Sequence, residues 1–156
     1  MTIRRCTAAE FADVYTVCND GASAYRGVIA ADQWKDPYMP EDELKSEMLA
    51  GVEFYGAFDF EQELVGVMGL QQVGDVALVR HAYTRTRRQR AGIGSALLAH
   101  LQSVTDRPIL IGTWKAASWA IRFYERRGFT LINGPTQMAN RKRYGRSPVK
   151  RPAKST

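Results

Sequence analysis

Phe11, Val14, Tyr15 and Cys18 put apolar side chains at i, i+3, i+4 and i+7, the spacing of one helix face. Just before them, Thr7-Ala-Ala-Glu10 has the form of a capping box, in which threonine covers early amides and glutamate reaches back. A first helix is predicted from here, ending at Asn19–Gly21, with Ile3–Arg5 as a short strand ahead of it. The next stretch, "SAYRGVIAADQWKDPYMPEDELKSEMLAGV", is rich in aromatics but broken by Pro37 and Pro40. Its middle reads as irregular, followed by a second helix from about Glu41 to Ala50 that Gly51 stops.

The period then changes. "EFYGAF", "ELVGVMGLQQ" and "DVALVRHAYT" are strand-like and parted only by "DFEQ" and "VGD". Such tight connections predict an antiparallel meander. Ile93, Leu97, Leu101 and Val104 form one face of a third helix, and Pro108 leads into "ILIG", a short buried strand. Ala120, Phe123, Tyr124 and Arg127 share a side of a fourth helix, which Gly128 closes as a C-cap. "FTLI" is a further strand, Asn133-Gly134-Pro135 turns the chain, and Thr136–Ala139 offers at most one short, weak strand. The order β-α-α-β-β-β-α-β-α-β predicts an α/β (α+β) architecture, about four helices packed on a mixed, mostly antiparallel sheet.

Composition adds bounds. The chain of 156 residues has room for one domain and one core. No run approaches the ~20 apolar residues of a membrane-spanning helix, and "MTIRRCTAAEF" lacks a secretory apolar stretch. Cys6 and Cys18 have neither metal-ligand spacing nor scaffold density, so both are read as reduced and the chain as cytoplasmic, with no metal. The net charge is +6, but seven of the 22 Lys and Arg follow residue 140 with no acid among them. Residues 1–140 are thus close to neutral and are read as the folded domain, with 141–156 a disordered basic tail. A domain-wide nucleic-acid face is not expected.

The chemistry concentrates in "RTRRQRAGIGSALLAHL", Arg85 to Leu101, where clustered cations and two glycines open a helix. A helix N-terminus carries unpaired N–H groups and the positive dipole end. Gly92 and Gly94 lack a Cβ and let an anion approach those amides, and Arg85, Arg87, Arg88 and Arg90 add positive field. A pyrophosphate suits such a site. The nucleotide-triphosphate loop requires a lysine after its glycines, and the dinucleotide fingerprint requires glycine where Leu97 stands, so both patterns fail.

Gln89-Arg-Ala-Gly92-Ile-Gly94 resembles the Q/R-x-x-G-x-G/A pyrophosphate loop of the GNAT N-acetyltransferase superfamily. Some thirty residues on, "AIRFYERRGF" is similar to that family's A-x-x-F-Y-x-x-x-G-F signature, and the resemblance spans about residues 1–133. It implies a sheet whose two central strands, "DVALVRHAYT" and "PILIG", part to hold acetyl-CoA as co-substrate. Backbone groups near Tyr83 and Thr84 would pair with the pantetheine arm. The loop Gln89, Arg90, Ala91, Gly92, Ile93, Gly94 and Ser95 would hold the pyrophosphate. The implied reaction is direct attack of a primary amine, on a small molecule or peptide, on the thioester within a ternary complex. Tyr124 matches the family's general acid for the departing thiolate.

An alkylamine has a pKa of about 10.4, so only about one in 10³ is unprotonated at pH 7 and a base is useful. His81, on the strand beside the thioester, is the expected base, with Glu53 and Asp75 as alternatives. Trp34, Tyr38, Met39 and Gln71 are the expected acceptor-binding residues. Two departures stand out. Ala117 replaces the asparagine that often opens the second signature, and the C-terminus is poor in strand pattern. The last strands are therefore read as truncated, diverged or supplied by a second protomer in a homodimer. A domain that binds acyl-CoA without transfer is the alternative reading.

Overall fold

The computed structural model describes residues 1–89, 91–113, 117–132 and 137–140. The expected tail, 141–156, lies outside them, as do Arg90, Trp114 and the turn at 133–136. Strand β1 (Thr2–Arg5) leads into a 3-10 turn, then α1 (Phe11–Ala22) and α2 (Glu41–Leu49). The meander follows as β2 (Glu53–Phe58), β3 (Leu64–Val73) and β4 (Val76–Thr84). Helix α3 (Ile93–Val104), β5 (Ile109–Gly112), α4 (Ser118–Glu125), β6 (Phe129–Leu131) and β7 (Gln137–Asn140) are the remaining elements among the described residues.

The seven strands form one sheet in the order β1-β2-β3-β4-β5-β7-β6. Every pairing is antiparallel except β4 with β5. The weak segment after the 133–136 turn is strand β7, slotted between β5 and β6, with Met138 and Ala139 fully buried. Two strands thus follow Gly128, and the sheet is not cut short before them.

Helices cover both faces, which is why β3 reads as an unbroken apolar run instead of an alternating one. On one face α3 packs Ile93, Leu97, Leu98 and Leu101 onto Met68, Leu70, Ala77 and Val79. On the other, Val14, Val17 and Cys18 of α1 and Leu44 of α2 meet Phe54 and Val67. Each fully buried Leu or Val contributes roughly 1.5–3 kcal/mol. Among the described residues no helix is long and apolar enough to cross a membrane.

Helix α1 runs past its expected end at Asn19–Gly21, through Ala22 and into a 3-10 turn, Ser23–Tyr25. Gly21 stays helical because it packs on β4: a Cβ there would lie 2.7 Å from Tyr83 Cβ and 2.9 Å from the Thr84 carbonyl oxygen. Close approach, not turning, explains this glycine.

At the start of α1, the Arg4 guanidinium donates to Glu10 at 2.6 and 3.1 Å, and the Thr7 amide donates at 2.7 Å. These bonds, Arg4's first, hold the Glu10 carboxyl down at about 2, below its usual 4.5. A depressed folded-state value means stability that is present above pH 4.5 and lost as pH falls toward 2. Replacing Glu10 with Gln should therefore flatten the loss of Tm across that interval in thermal melts. An unchanged acid limb would show that the pair adds no stability.

Candidate functional site

The parallel β4–β5 ladder pairs Ala77 with Ile109, Leu78 with Leu110 and Val79 with Ile111. Among the described residues it ends there, while β4 stays paired to β3 as far as Val67↔Tyr83 and Gly66↔Thr84. The cause is local. The β3–β4 register shifts between Val67 and Gly69, and His81 sits in the left-handed region at φ 58°. This is a β-bulge, which bends its strand and adds a residue to one side; positive φ is uncommon outside glycine. Consecutive Arg80 and His81 both face α2, where Glu47 Oε1 lies 3.7 Å from Arg80 Nε and 2.8 Å from His81 Nε2.

The parting opens a cleft of about 870 Å³. Tyr83 and Thr84 line its β4 side, Trp119, Phe123 and Tyr124 its α4 side, and Gly21 and Tyr25 the end of α1. Gln89, Gly92, Ile93, Gly94 and Ser95 line it from the loop and first turn of α3. Gly92 is the N-cap of α3 at φ 79°, ψ 10°, a left-handed conformation that lets the chain swing from the loop into the helix. The first turn of α3 thus lines the cleft at the helix's N-terminal end, where the dipole is positive.

The loop arginines take a different part from the one expected. Arg87 pairs with Glu63 at 2.6 Å and Arg88 with Asp59 at 3.1 Å. Arg85 donates from Nε to the Leu64 carbonyl at 2.8 Å and also faces Glu63. Acids of the β2–β3 turn thus occupy three of the four cations, which staple the loop to the sheet. Asp20 of α1 adds a further anchor, accepting from the Thr86 amide at 2.8 Å.

A cation on the cleft itself comes from α4's C-terminal end. Arg127 stacks its guanidinium 3.7 Å from the Phe123 ring centroid and donates to Ser95 Oγ at 3.2 Å and the Phe123 carbonyl at 3.0 Å. Arg126 lines the cleft beside it. The sequence places Arg127 on the Phe123–Tyr124 side of the fourth helix but assigns neither arginine a role in the site.

Four other expected site residues lie elsewhere. Met39 is 1% exposed in the core under α2, its amide donating to Asn19 Oδ1 at 2.8 Å. Gln71 bridges Arg80 and the Ala50 carbonyl, each at 2.9 Å, and does not line the cleft. His81 also stays off the lining, held by Glu47, because the bulge turns it toward α2. Ala91 is exposed at the loop's tip. Glu53 pairs with Arg5 on the surface, and Asp75 is exposed in the β3–β4 turn.

Tyr38 and Trp34 do not line the cleft either, but join it through ring contacts with Tyr83. Tyr83 lies 6.4 Å from Tyr38, which lies 5.2 Å from Trp34 between ring centroids. The buried Trp34 indole N–H has no hydrogen-bond partner. Burial, foremost, pushes the Tyr124 and Tyr83 hydroxyls far above the usual phenol range. Among the described residues no His, Cys, Asp or Glu group is placed to hold a metal ion.

Several solved structures share this architecture. PaiA N-acetyltransferase from Thermoplasma acidophilum, in complex with coenzyme A, superposes with a TM-score of 0.72 at 18% identity, over 88% of this chain and 96% of that one. A histone acetyltransferase HPA2 and related acetyltransferase from Corynebacterium glutamicum gives 0.68 at 17% identity, over 97% and 98%. A GNAT-family acetyltransferase from Staphylococcus aureus gives 0.67 at 15% identity, over 89% and 97%. No curated protein matches the sequence closely. The model of the acetyltransferase (GNAT) domain matches residues 17–144 of the 156. A bulged β4 parting from β5 over a glycine-opened helix is thus carried by a chain that belongs to the GNAT acetyltransferase family.

Proposed function

We propose that this chain transfers the acetyl group of acetyl-CoA to a primary amine of a small molecule or peptide. The observation that carries the reading is the parting of β4 from β5 with the first turn of α3 opening into the gap. An extended thioester arm is accommodated at the β4 edge of Tyr83 and Thr84, which have no β5 partner among the described residues. A diphosphate is accommodated at Gln89 and the amides of Gly92 to Ser95, with Arg127 as its side-chain cation. Immobilising the long co-substrate at both ends positions its thioester, the entropic part of the catalysis.

Tyr124 is the proton donor to the departing sulfur: it lines the cleft and its burial keeps it protonated. His81 is not given the base's role, because it lies off the cleft with Nε2 held by Glu47. The acceptor enters past Tyr38 and Trp34, along a connection bearing Asp32, Asp36, Glu41 and Asp42, whose field favours a cationic amine.

Calorimetric titration with acetyl-CoA, followed by a free-thiol assay over a panel of amines, tests the reading. Binding with amine-dependent thiol release is expected. Absence of binding at high micromolar co-substrate would overturn it, and binding without release from any amine would favour a non-catalytic acyl-CoA domain.

A further inference from the structure

The last turn of a helix is an unfavourable place for a carboxylate, because the dipole is negative there. Glu41, Asp42 and Glu43 of α2 stand in its first turn, where the dipole favours them, but Glu47 stands near the other end. Helix stability does not account for it. Its partners are on β4. Glu47 Oε1 accepts from His81 Nε2 at 2.8 Å and lies 3.7 Å from Arg80 Nε. The three side chains are only 18 to 21% exposed, so water screens these contacts poorly. The bond from His81, foremost, holds the Glu47 carboxyl below its usual range, which keeps it ionised beside Arg80.

Arg80 and His81 are consecutive, and in a regular strand such side chains point to opposite faces. They reach one carboxylate because the bulge sets His81 at φ 58°. Between the pairs Gly69↔Arg80 and Val67↔Tyr83, Met68 alone stands opposite His81 and Ala82. Gln71 of β3 completes the tie. It accepts from Arg80 Nη1 and donates to the Ala50 carbonyl at the end of α2, both at 2.9 Å. Toward the cleft, the His81 ring stacks 6.5 Å from that of Tyr83, a wall residue.

We propose, resting on the acetyltransferase reading, that Glu47 is a positioning residue for acetyl-CoA. By binding Arg80 and His81 at once, it holds the bulge that presents the β4 edge at Tyr83 and Thr84 to the thioester arm. A left-handed histidine persists only where its surroundings over-determine it. Without the carboxylate, that strain loses its restraint and the partly buried Arg80 loses its ionic partner. The strand then relaxes toward regular pairing, and a one-residue change of register sends every side chain beyond it to the opposite face. Tyr83 leaves the wall. Glu47 does not line the cleft, so it acts through β4 and not by touching the co-substrate.

The test uses the full chain, acetyl-CoA and the amine that gives the fastest thiol release in the panel. Glu47→Ala should raise both Kd and KM for acetyl-CoA about tenfold or more, with kcat held within about threefold. Adding His81→Gly to Glu47→Ala should bring Kd back to within about threefold of wild type, because glycine takes φ 58° without strain. Packing lost at one side chain is not restored by deleting a second, so a merely structural role predicts no rescue. Independently of activity, amide hydrogen exchange at Ala82–Thr84 should quicken in Glu47→Ala and slow again in the double variant. Wild-type Kd and exchange in Glu47→Ala overturn the positioning role alone, as does a raised Kd that His81→Gly leaves unrelieved. A wild-type chain that does not bind acetyl-CoA overturns the functional reading and this role with it.

Discussion

Replacing Gly92 with Val should lower acetyl-CoA affinity by about 100-fold or more, roughly 2.7 kcal/mol, in a calorimetric titration. The residue sits at φ 79°, and a Cβ built there meets nothing within 4 Å. Crowding by the protein is therefore not the cause. A β-branched residue in the left-handed region is strained by the order of 1–3 kcal/mol. The backbone relieves that strain by rotating away, which turns the first amides of α3 out of the cleft. Gly92 also lines the cleft, so two added branches would crowd the wall against which a diphosphate must come close. The helix beyond stays anchored by Leu97, Leu98 and Leu101, so Tm should drop by only a few degrees. Gly92→Asn separates the two effects, since asparagine tolerates positive φ and still adds a side chain. Its affinity should fall between the two. Wild-type affinity in the Val variant would mean that the α3 N-terminus is not the anion site.

How far the sequence announces this site depends on which forces act locally. The capping box at Thr7, the β2–β4 meander and the glycine-opened α3 are short-range devices, and spacing alone exposes them. Strand β7 is different: its four residues gain their place from pairing with β5 and β6, a non-local fit that "TQMAN" does not advertise. The loop arginines show the same limit. Their charge is plain, but the acids that neutralise Arg87 and Arg88 lie at Glu63 and Asp59, in a turn more than one strand earlier. Gly21 misleads for a related reason, since a glycine admitted by a close helix–strand contact looks like one that ends a helix. The bulge at His81 swings that ring away from the thioester side, and nothing in "VRHAYT" marks the extra residue. Tyr25 lies in the aperiodic stretch after α1, where no pattern assigns a face. Arg127 is legible as a cation, but only the return of α4 toward α3 aims it at Ser95.

Tyr124→Phe should leave acetyl-CoA binding intact and reduce kcat by about 10²-fold or more, the range of a lost general acid. The substitution removes one oxygen and keeps the ring, which packs edge-on against Phe123 at 5.2 Å and Phe129 at 6.0 Å. Those contacts fix the ring from two sides, so neither the fold nor the cleft's shape depends on the hydroxyl. In the proposed function binding rests instead on the β4 edge and the α3 amides, which the change does not touch. What disappears is the proposed donor for sulfur, so the departing thiolate should leave unprotonated into a cleft walled largely by rings. The size of the loss should follow the leaving group. An acyl donor with a more acidic thiol needs less help, so its rate should fall less in the variant than that of acetyl-CoA. Equal slowing for all donors would reassign Tyr124 to positioning, and unchanged kcat with acetyl-CoA would remove it from the chemistry.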